Sequence, residues 1–281
     1  MIIDTHEHCF DAKTLQCWAA SKMTDFENAN IYFAEVSINC FDIDDMAAIV
    51  TKYHPCLGIV PGQHPKLVSE ETNVADIFSH VIKRVELYRD CVLGIKTGLD
   101  YHWVENQSAR TKQCILLKLF FKYAKDKQLP IVLHVRSDEN NPRSAYEDVI
   151  SAMLSTEFDG KVVLHCFNGD KETALRFLEI NKNTYFGIGG VITYPECQDT
   201  LETIKYIPRN RILLETDGPY LKPFYPNLSR PKGKKNSSLN LPIVIEKLAK
   251  TMGVGTTEIE EMTAKNACEF YNLSNLIGGD E

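Results

Sequence analysis

Long apolar runs are absent from this sequence of 281 residues. No stretch approaches the roughly 18 consecutive apolar residues that a membrane-spanning helix needs. The opening residues, MIIDTHEHCF, also lack the basic segment that precedes the apolar part of a secretory signal. We therefore expect a cytoplasmic protein without a membrane partner.

Paired cysteine motifs are absent as well. The chain has nine cysteines, an odd number, and no two of them show CxxC spacing. A chain of this length does not need disulfides to hold its core together. The pattern predicts reduced thiols, and we expect Cys9 and Cys166 to pack as small apolar side chains rather than to bind a metal.

An excess of positive charge is also lacking. Lysine and arginine number 31 against 38 aspartate and glutamate residues, which gives a net charge of −7. This balance argues against a protein that coats nucleic acid with its whole surface. It leaves a nuclease open, because a local basic patch and bound cations are enough to hold phosphate.

Short apolar runs that alternate with helical patterns make up most of the chain. Low-complexity segments, repeats and a GxGxxG motif after the first run are all missing, so dinucleotide binding has no local support. Eight runs are typical of strands buried on both faces: Ile2–Thr5, Tyr32–Ile38, Cys56–Pro61, Val92–Ile95, Ile131–Leu133, Val162–Leu164, Thr184–Ile188 and Ile212–Leu214.

The segments between these runs carry apolar stripes with the 3.6-residue period of an α-helix. The clearest are Lys112–Lys127, Lys171–Ile180 and Leu241–Met252. Eight strands alternating with helices predict an α/β fold of the (β/α)8 TIM-barrel type, with residues 1–281 as a single domain. An open, doubly wound sheet is the structural alternative.

Potential metal ligands cluster at the ends of these predicted strands. His6 and His8 are two residues apart at the end of the first run, a spacing that puts both imidazoles on one side of a strand. His134, His165 and Asp217 each follow a later run. Active sites of TIM barrels lie at the C-terminal ends of the strands, and imidazole and carboxylate suit Zn²⁺, Mn²⁺ and similar ions. We therefore expect a site for one or two divalent ions.

Several longer motifs resemble those of the TatD-type deoxyribonucleases, a family of the amidohydrolase superfamily. The resemblance covers essentially the whole chain. The motifs are DTHEH at 4–8, GQHP at 62–65, TGLDY at 97–101, LPIVLHVR at 129–136, HCFNG at 165–169, LLETDGPYL at 213–221, KKN at 234–236 and KNACEFYNL at 265–273.

The resemblance implies a role for each candidate residue. His6, His8 and Asp217 would hold a first metal ion, with Asp217 also orienting or deprotonating the attacking water. A second ion would lie on His134 and His165. Glu215 would orient a ligand histidine or the water, and His64 would contact the scissile phosphate. The ions would be Zn²⁺, Mg²⁺ or Mn²⁺, and the reaction would be hydrolysis of DNA phosphodiester bonds, from the 3′ end in an exonuclease.

Lys96 departs from the family pattern. The family has a glutamate that bridges both metals where this chain has Lys96, in GIKTGLDY at 94–101. Three interpretations stay open: a carboxylated lysine whose carbamate binds metal, an ammonium that replaces one ion as a fixed charge, and a degenerate site. The following TGLDY predicts that Lys96 lies at the mouth of the barrel.

Two further segments are candidates for contact with substrate. A basic segment after the last strand would bind substrate phosphate, because loops at this place in barrels commonly do so; its candidate residues are Arg230, Lys232, Lys234, Lys235 and Asn236. A solvated basic loop is the alternative. Tyr101, His102 and Trp103 would stack on bases of single-stranded DNA or pack the rim of the barrel.

Three classes of function remain open. The leading one is a metal-dependent nuclease acting on DNA, as single strands or at ends. A hydrolase of a small amide, lactone or phosphoester is the second, favoured by Lys96 and by the acidic net charge. The third is a diverged barrel that acts as a component of a larger assembly, such as a defence system, and it rests on Lys96 alone.

Overall fold

Parallel strands and the helices that follow them dominate the fold. The computed structural model describes residues 1–11, 16–17, 23–224 and 236–273, without the side chains of residues 10, 11, 16 and 17. Its strands are β1 (Ile2–Glu7), β2 (Phe10–Asp11), β3 (Gln16–Cys17), β4 (Ile31–Val36), β5 (Cys56–Val60), β6 (Ile95–Asp100), β7 (Ile131–Arg136), β8 (Val162–Leu164), β9 (Thr184–Ile188) and β10 (Ile212–Leu214).

The helices cover the outside of the sheet, apart from the last one. They are α1 (Met23–Asn28), α2 (Ile43–Lys52), α3 (Val74–Leu87), α4 (Gln107–Lys127), α5 (Ser144–Thr156), α6 (Lys171–Ile180), α7 (Gln198–Ile204), α8 (Leu241–Met252) and α9 (Thr256–Tyr271). Among the described residues, none of these helices is long and apolar enough to cross a membrane.

The strands form two parallel arcs, β1-β4-β5 and β6-β7-β8-β9-β10. Backbone hydrogen bonds join the arcs at both seams. At one seam the Lys96 N–H donates to the Pro61 carbonyl at 2.9 Å, and at the other the Asp217 N–H donates to the His6 carbonyl at 2.9 Å. The predicted TIM barrel is confirmed, and the eight strands of the two arcs correspond to the eight predicted runs.

Strand β6 differs from its prediction. It begins at Ile95, where the predicted Val92–Ile95 strand ends, and it runs on to Asp100. The reason is Gly98, which has a φ of 147° and packs so closely on β7 that a Cβ there would overlap the carbonyl oxygen of His134. A glycine that reads as a turn signal in the sequence therefore lies inside a strand.

The barrel interior is filled by one layer of apolar side chains from the strands, closed at one end by α9. The layer includes Ile3, Val132, Tyr185 and Leu213. The Tyr271 hydroxyl at the end of α9 donates to the Thr5 carbonyl at 2.8 Å. This packing leaves the opposite end, where the strands terminate, as the open mouth.

Candidate metal centre

Three imidazoles converge on one carboxylate oxygen at the mouth of the barrel. Asp217 Oδ1 lies 3.2 Å from His8 Nε2, 3.6 Å from His165 Nε2 and 3.7 Å from His6 Nε2. His6 and His8 come from the end of β1, His165 directly follows β8, and Asp217 follows β10. The sequence therefore places these four side chains together as predicted from their positions at strand ends.

A β-bulge in β1 changes the direction in which the side chains of His6 and His8 point. The pairing of β1 with β4 gains one extra residue on β1 between Asp4 and Glu7. Such bulges re-aim side chains and are common beside active sites. Cys166 and Asp217 also have left-handed backbones, with φ of 47° and 55°, a conformation that bulky residues adopt mainly at constrained functional positions.

Hydrogen bonds to the far side of two rings fix which nitrogen faces Asp217. His8 Nδ1 donates to the Val36 carbonyl at 2.6 Å, and His165 Nδ1 donates to Glu215 Oε1 at 3.1 Å. Each neutral ring then keeps its lone pair on Nε2, directed at the carboxylate oxygen of Asp217. Lone pairs and a carboxylate repel each other at this range, and either a metal ion between them or a second proton on the ring removes the repulsion.

The spacing of these atoms fits a divalent ion. Bonds of about 2.0–2.2 Å in a tetrahedral site put neighbouring ligand atoms about 3.3–3.6 Å apart, and the three nitrogens lie 3.2–3.7 Å from Asp217 Oδ1. Ligand atoms of His6, His8 and Asp217 all lie within 4.8 Å of one another, whereas His165 groups with Asp217 and Cys166 and its ring stacks on that of His6 at 3.6 Å. Among the described residues, buried His6 Nδ1 has no hydrogen-bond partner. This nitrogen is not the one that faces Asp217, so the case for the ion rests on the spacing around Asp217 Oδ1.

Glu215 holds His165 in place. Its side chain is buried, and Oε1 also accepts a hydrogen bond from the Cys166 N–H at 2.6 Å. Gly187 makes room for it, because a Cβ there would overlap Oε2 of the glutamate. Burial raises the pKa of Glu215 to about 7, against the lowering effect of its bonds to Cys166. The predicted orienting role therefore has a defined partner.

Lys96 lies inside the barrel rather than at its rim. As the second residue of β6 its side chain is fully buried, and Nζ is 3.3 Å from His6 Nε2. Burial lowers the pKa of the Lys96 amine to about 8, while the charges of Asp217 and Glu215 oppose this. The amine therefore lies among the candidate ligands at the mouth of the barrel, buried there and not exposed on the rim.

His134 is grouped with two other side chains beside this cluster. His134 Nε2 lies 3.1 Å from Asp100 Oδ2, and its ring centroid is 4.2 Å from that of His64 but 6.0 Å from that of His165. Ligand atoms of His64, Asp100 and His134 lie within 4.8 Å of one another. The predicted pair of His134 and His165 is therefore less closely assembled than the set around Asp217.

Asp100 is a site residue that the sequence analysis missed. It is the last residue of β6 and lies on the same face as Lys96 and Gly98, by the two-residue period of a strand. Burial raises its pKa, but the hydrogen bond and charge of His134 outweigh burial together with the Trp103 N–H and Arg136, and the net shift is downward. Extending the predicted strand beyond Gly98 would have placed this carboxylate at the mouth.

The tautomer of His64 is set by its backbone. His64 Nδ1 accepts a hydrogen bond from the Lys66 N–H at 3.2 Å, so Nε2 carries the proton of the neutral ring. Burial lowers the pKa of His64 well below its ordinary value, which keeps the ring neutral. Together with His8, His134, His165 and Asp217, His64 lines an open cavity of about 590 Å³, within the usual size of a ligand pocket.

Asn236 has internal partners instead of the predicted contact with phosphate. Its buried amide donates to the Thr216 carbonyl at 2.8 Å and accepts from the Ser237 N–H at 3.0 Å. These bonds support the segment that carries Asp217. The other four candidates for phosphate binding lie outside the described residues: Arg230, Lys232, Lys234 and Lys235.

The two cysteines next to ligand histidines have different surroundings. Cys9 is fully buried in the apolar core. Cys166 lies near His165 and Asp217, and burial raises the pKa of its thiol well above the ordinary value. Because the thiolate is the metal-binding form, the neutral thiol of Cys166 is a weak ligand.

A sequence model of the family described as TatD related DNase matches residues 3–272. The chain belongs to this family. Among its relatives is YabD of Bacillus subtilis, named as an uncharacterized metal-dependent hydrolase, which is 31% identical over 195 residues, 69% of this chain and 70% of that protein. YcfH of Escherichia coli K12, named in the same way, is 26% identical over 212 residues, 75% of this chain and 72% of that protein.

Solved structures of TatD proteins share the fold. YjjV, a TatD homologue of Escherichia coli K12, superimposes with a TM-score of 0.80 at 23% identity and covers 96% of this chain and 98% of its own. A TatD-family hydrolase of Entamoeba histolytica gives a TM-score of 0.76 at 18% identity, covering 96% and 97%. The chain is therefore a metal-dependent hydrolase of the TatD family with a TIM-barrel fold.

Proposed function

We propose that this TatD protein hydrolyses phosphodiester bonds of DNA with a water molecule activated by a divalent metal ion. The observation that carries the proposal is the convergence of three imidazole nitrogens on Asp217 Oδ1 in an open cavity. The family description as TatD related DNase supports DNA as the substrate.

His6, His8, His165 and Asp217 would hold the ion. When bound, a divalent ion lowers the pKa of water towards neutrality and polarises a phosphoryl oxygen. A set of three imidazoles and one carboxylate favours Zn²⁺ over Mg²⁺, which prefers oxygen ligands. We therefore propose Zn²⁺ as the preferred ion, ahead of Mn²⁺ and Mg²⁺.

Two side chains would act directly on water and substrate. Burial raises the pKa of Asp217, but His165 and His8 outweigh it and the net shift is downward, so the carboxylate is ionised and can orient the water and accept its proton. His64 presents a protonated Nε2 in the same cavity. That N–H would donate to a phosphoryl oxygen as negative charge develops there.

Lys96 would act as a fixed cation in place of a second ion. Its Nζ lies 3.3 Å from His6 Nε2, and His165 Nε2 faces Asp217 at 3.6 Å. An ammonium beside the site would repel a second ion and attract the phosphate. The carboxylated lysine is the competing state, since it would supply an anionic ligand for two ions, and intact-protein mass together with metal content separates the two.

The test of the proposed function is cleavage of a 5′-labelled single-stranded DNA with Zn²⁺, Mn²⁺ or Mg²⁺ after removal of metal by chelation. We expect metal-dependent cleavage, with a ladder shortening from the 3′ end if the enzyme is an exonuclease. Asp217→Asn is the inactive control. Cleavage of small phosphoesters or lactones without cleavage of DNA would support the small-molecule alternative, and no turnover with any of them would support a role in an assembly.

A further inference from the structure

A second cavity adjoins the one that contains the candidate metal ligands. It has a volume of about 400 Å³, and Val135, Arg136 and Asn168 line both cavities. Trp103 lines the first cavity and His102 the second. The boundary between the two is therefore formed by the end of β7 and by the loop that follows β6.

Trp103 stands out at this boundary because 65% of its surface is exposed. Neighbouring Tyr101, by contrast, is buried, and its hydroxyl donates to Asp148 at 2.7 Å. The two aromatic residues therefore differ in role. Tyr101 packs the rim of the barrel, whereas the exposed Trp103 ring can contact a ligand.

The loop that carries Trp103 is held by a carboxylate of the candidate site. The backbone N–H of Trp103 donates to Asp100 Oδ1 at 3.0 Å, while the other oxygen of this carboxylate contacts His134 Nε2 at 3.1 Å. One buried carboxylate therefore fixes both the loop that presents Trp103 and a histidine of the catalytic cavity.

Arg136 supplies a positive charge next to the indole. Its guanidinium lies over one face of the Trp103 ring, 5.4 Å from the centroid, so a stacked base would use the opposite face. Two acidic groups around the second cavity already have cationic partners, Asp138 with Arg110 at 2.8 Å and Asp170 with Arg143 at 2.6 Å, and Glu139 contacts the His102 ring at 3.3 Å. Asp199 is a further carboxylate that lines this cavity. In the described part of the chain Arg136 has no salt bridge, so its charge is available to a phosphate.

We propose that Trp103 and Arg136 form a subsite for one nucleotide adjacent to the cleaved bond of a single strand, with the base stacked on the indole and a phosphate bound by the guanidinium. The subsite rests on the proposed DNA hydrolysis. A single strand is required, because only an unpaired base exposes its face to an aromatic side chain. This subsite would set both the position of cleavage and the preference for unpaired DNA.

The test combines a protein variant with a change in the DNA. Oligonucleotides carrying one abasic residue at successive positions around the cleaved bond are compared in the wild type and in Trp103→Ala. We expect one abasic position to lower kcat/KM of the wild type roughly 5- to 100-fold, the usual range for one stacked base. The same replacement should have no effect in Trp103→Ala, because the stacking partner is already lost.

Tyr206→Ala is the matched control, because Tyr206 is also an exposed aromatic with a cation, Lys171, over its ring, and it does not line either cavity. It should show the same abasic effect as the wild type. Arg136→Gln should make DNA affinity less dependent on salt, with the slope of log K against log salt shallower by about 0.7 for one lost phosphate contact.

Equal abasic effects in the wild type and in Trp103→Ala at every position would overturn the subsite. If the wild type does not cleave DNA at all, the proposed function fails, and the subsite is then tested by anisotropy of fluorescein-labelled oligonucleotides. In that case, the subsite is supported if binding depends on one base in the wild type but not in Trp103→Ala. If the wild type does not bind DNA, the subsite is overturned together with the proposed function.

Discussion

Glu215 illustrates how the site depends on residues that touch no substrate. Its carboxylate holds the Nδ1–H of His165 and so directs the lone pair of Nε2 at Asp217. Partners of this kind typically change metal affinity by about 10- to 100-fold when they are mutated.

Glu215→Gln should therefore weaken Zn²⁺ binding by about 10- to 100-fold, measured by competition with a chromogenic chelator. Glutamine lacks the negative charge that strengthens the bond from the imidazole. Glu258→Gln, on the exposed start of α9, is the control and should bind Zn²⁺ like the wild type. Unchanged affinity in Glu215→Gln would show that His165 is not a ligand.

His134 and Asp217 provide a second prediction at the scale of residues. His134→Ala and Asp217→Asn should each lower kcat by orders of magnitude without loss of folding, since both side chains line the catalytic cavity. Turnover is measured on labelled DNA, and folding by circular dichroism and thermal melting. Activity at the wild-type level in both variants would refute the assignment of the site.

The sequence was enough to place five of the polar side chains near one another, because each follows or ends a strand of a parallel barrel. His6, His8, His165 and Asp217 needed only the strand ends, and His134 lies in the same cavity. The grouping of His134 with Asp100 and the internal bonds of Asn236 were not predictable, because they depend on side-chain geometry that strand positions do not fix.

At the scale of the elements, β6 carries the largest difference from the sequence expectation. Apolar content alone ended the strand at Ile95, whereas the observed strand continues through Lys96, Thr97 and Gly98. Polar residues and a glycine in a buried strand occur where another backbone approaches closely or where a site is built. Polar residues and a glycine next to a predicted apolar strand can therefore indicate a functional site.

Gly98→Ala should lower the free energy of unfolding by about 1–3 kcal/mol, the usual cost of a residue held in such a backbone conformation, and by more if β7 has to move. The reason is its φ of 147° and the overlap of a Cβ with the His134 carbonyl. Denaturant unfolding measures the loss.

Gly255→Ala is the control for this change, because no atom lies within 4 Å of a Cβ at Gly255. It should cost no more than about 1 kcal/mol, because Gly255 is the N-cap of α9, where alanine is a poorer residue than glycine. Equal stability of the two variants would contradict the account of β6.

At the scale of the whole molecule, the barrel brings together residues that are more than 200 positions apart. The seam bond from Asp217 N–H to the His6 carbonyl and the 3.2 Å contact between His8 Nε2 and Asp217 Oδ1 bring the first strand next to the last. A cation bound at this seam would link the two ends of the barrel, so its removal should affect the stability of the whole fold.

Removal of metal should therefore lower the melting temperature, and Zn²⁺ should restore it. A ligand that binds only the folded state at 100 times its Kd stabilises it by about 2.7 kcal/mol. Calorimetry of the chelated and reloaded protein measures the shift, and His165→Ala should reduce it. A melting temperature that does not respond to Zn²⁺ would argue against a resident ion at the seam.

Anomalous diffraction from crystals grown with Zn²⁺ tests the central claim most directly, since it locates the ion and its ligands without reference to any substrate. The account predicts one ion about 2.0–2.2 Å from Nε2 of His6, His8 and His165 and from a carboxylate oxygen of Asp217, beside an unmodified Lys96. An anomalous peak elsewhere, or none in this cluster, would contradict it.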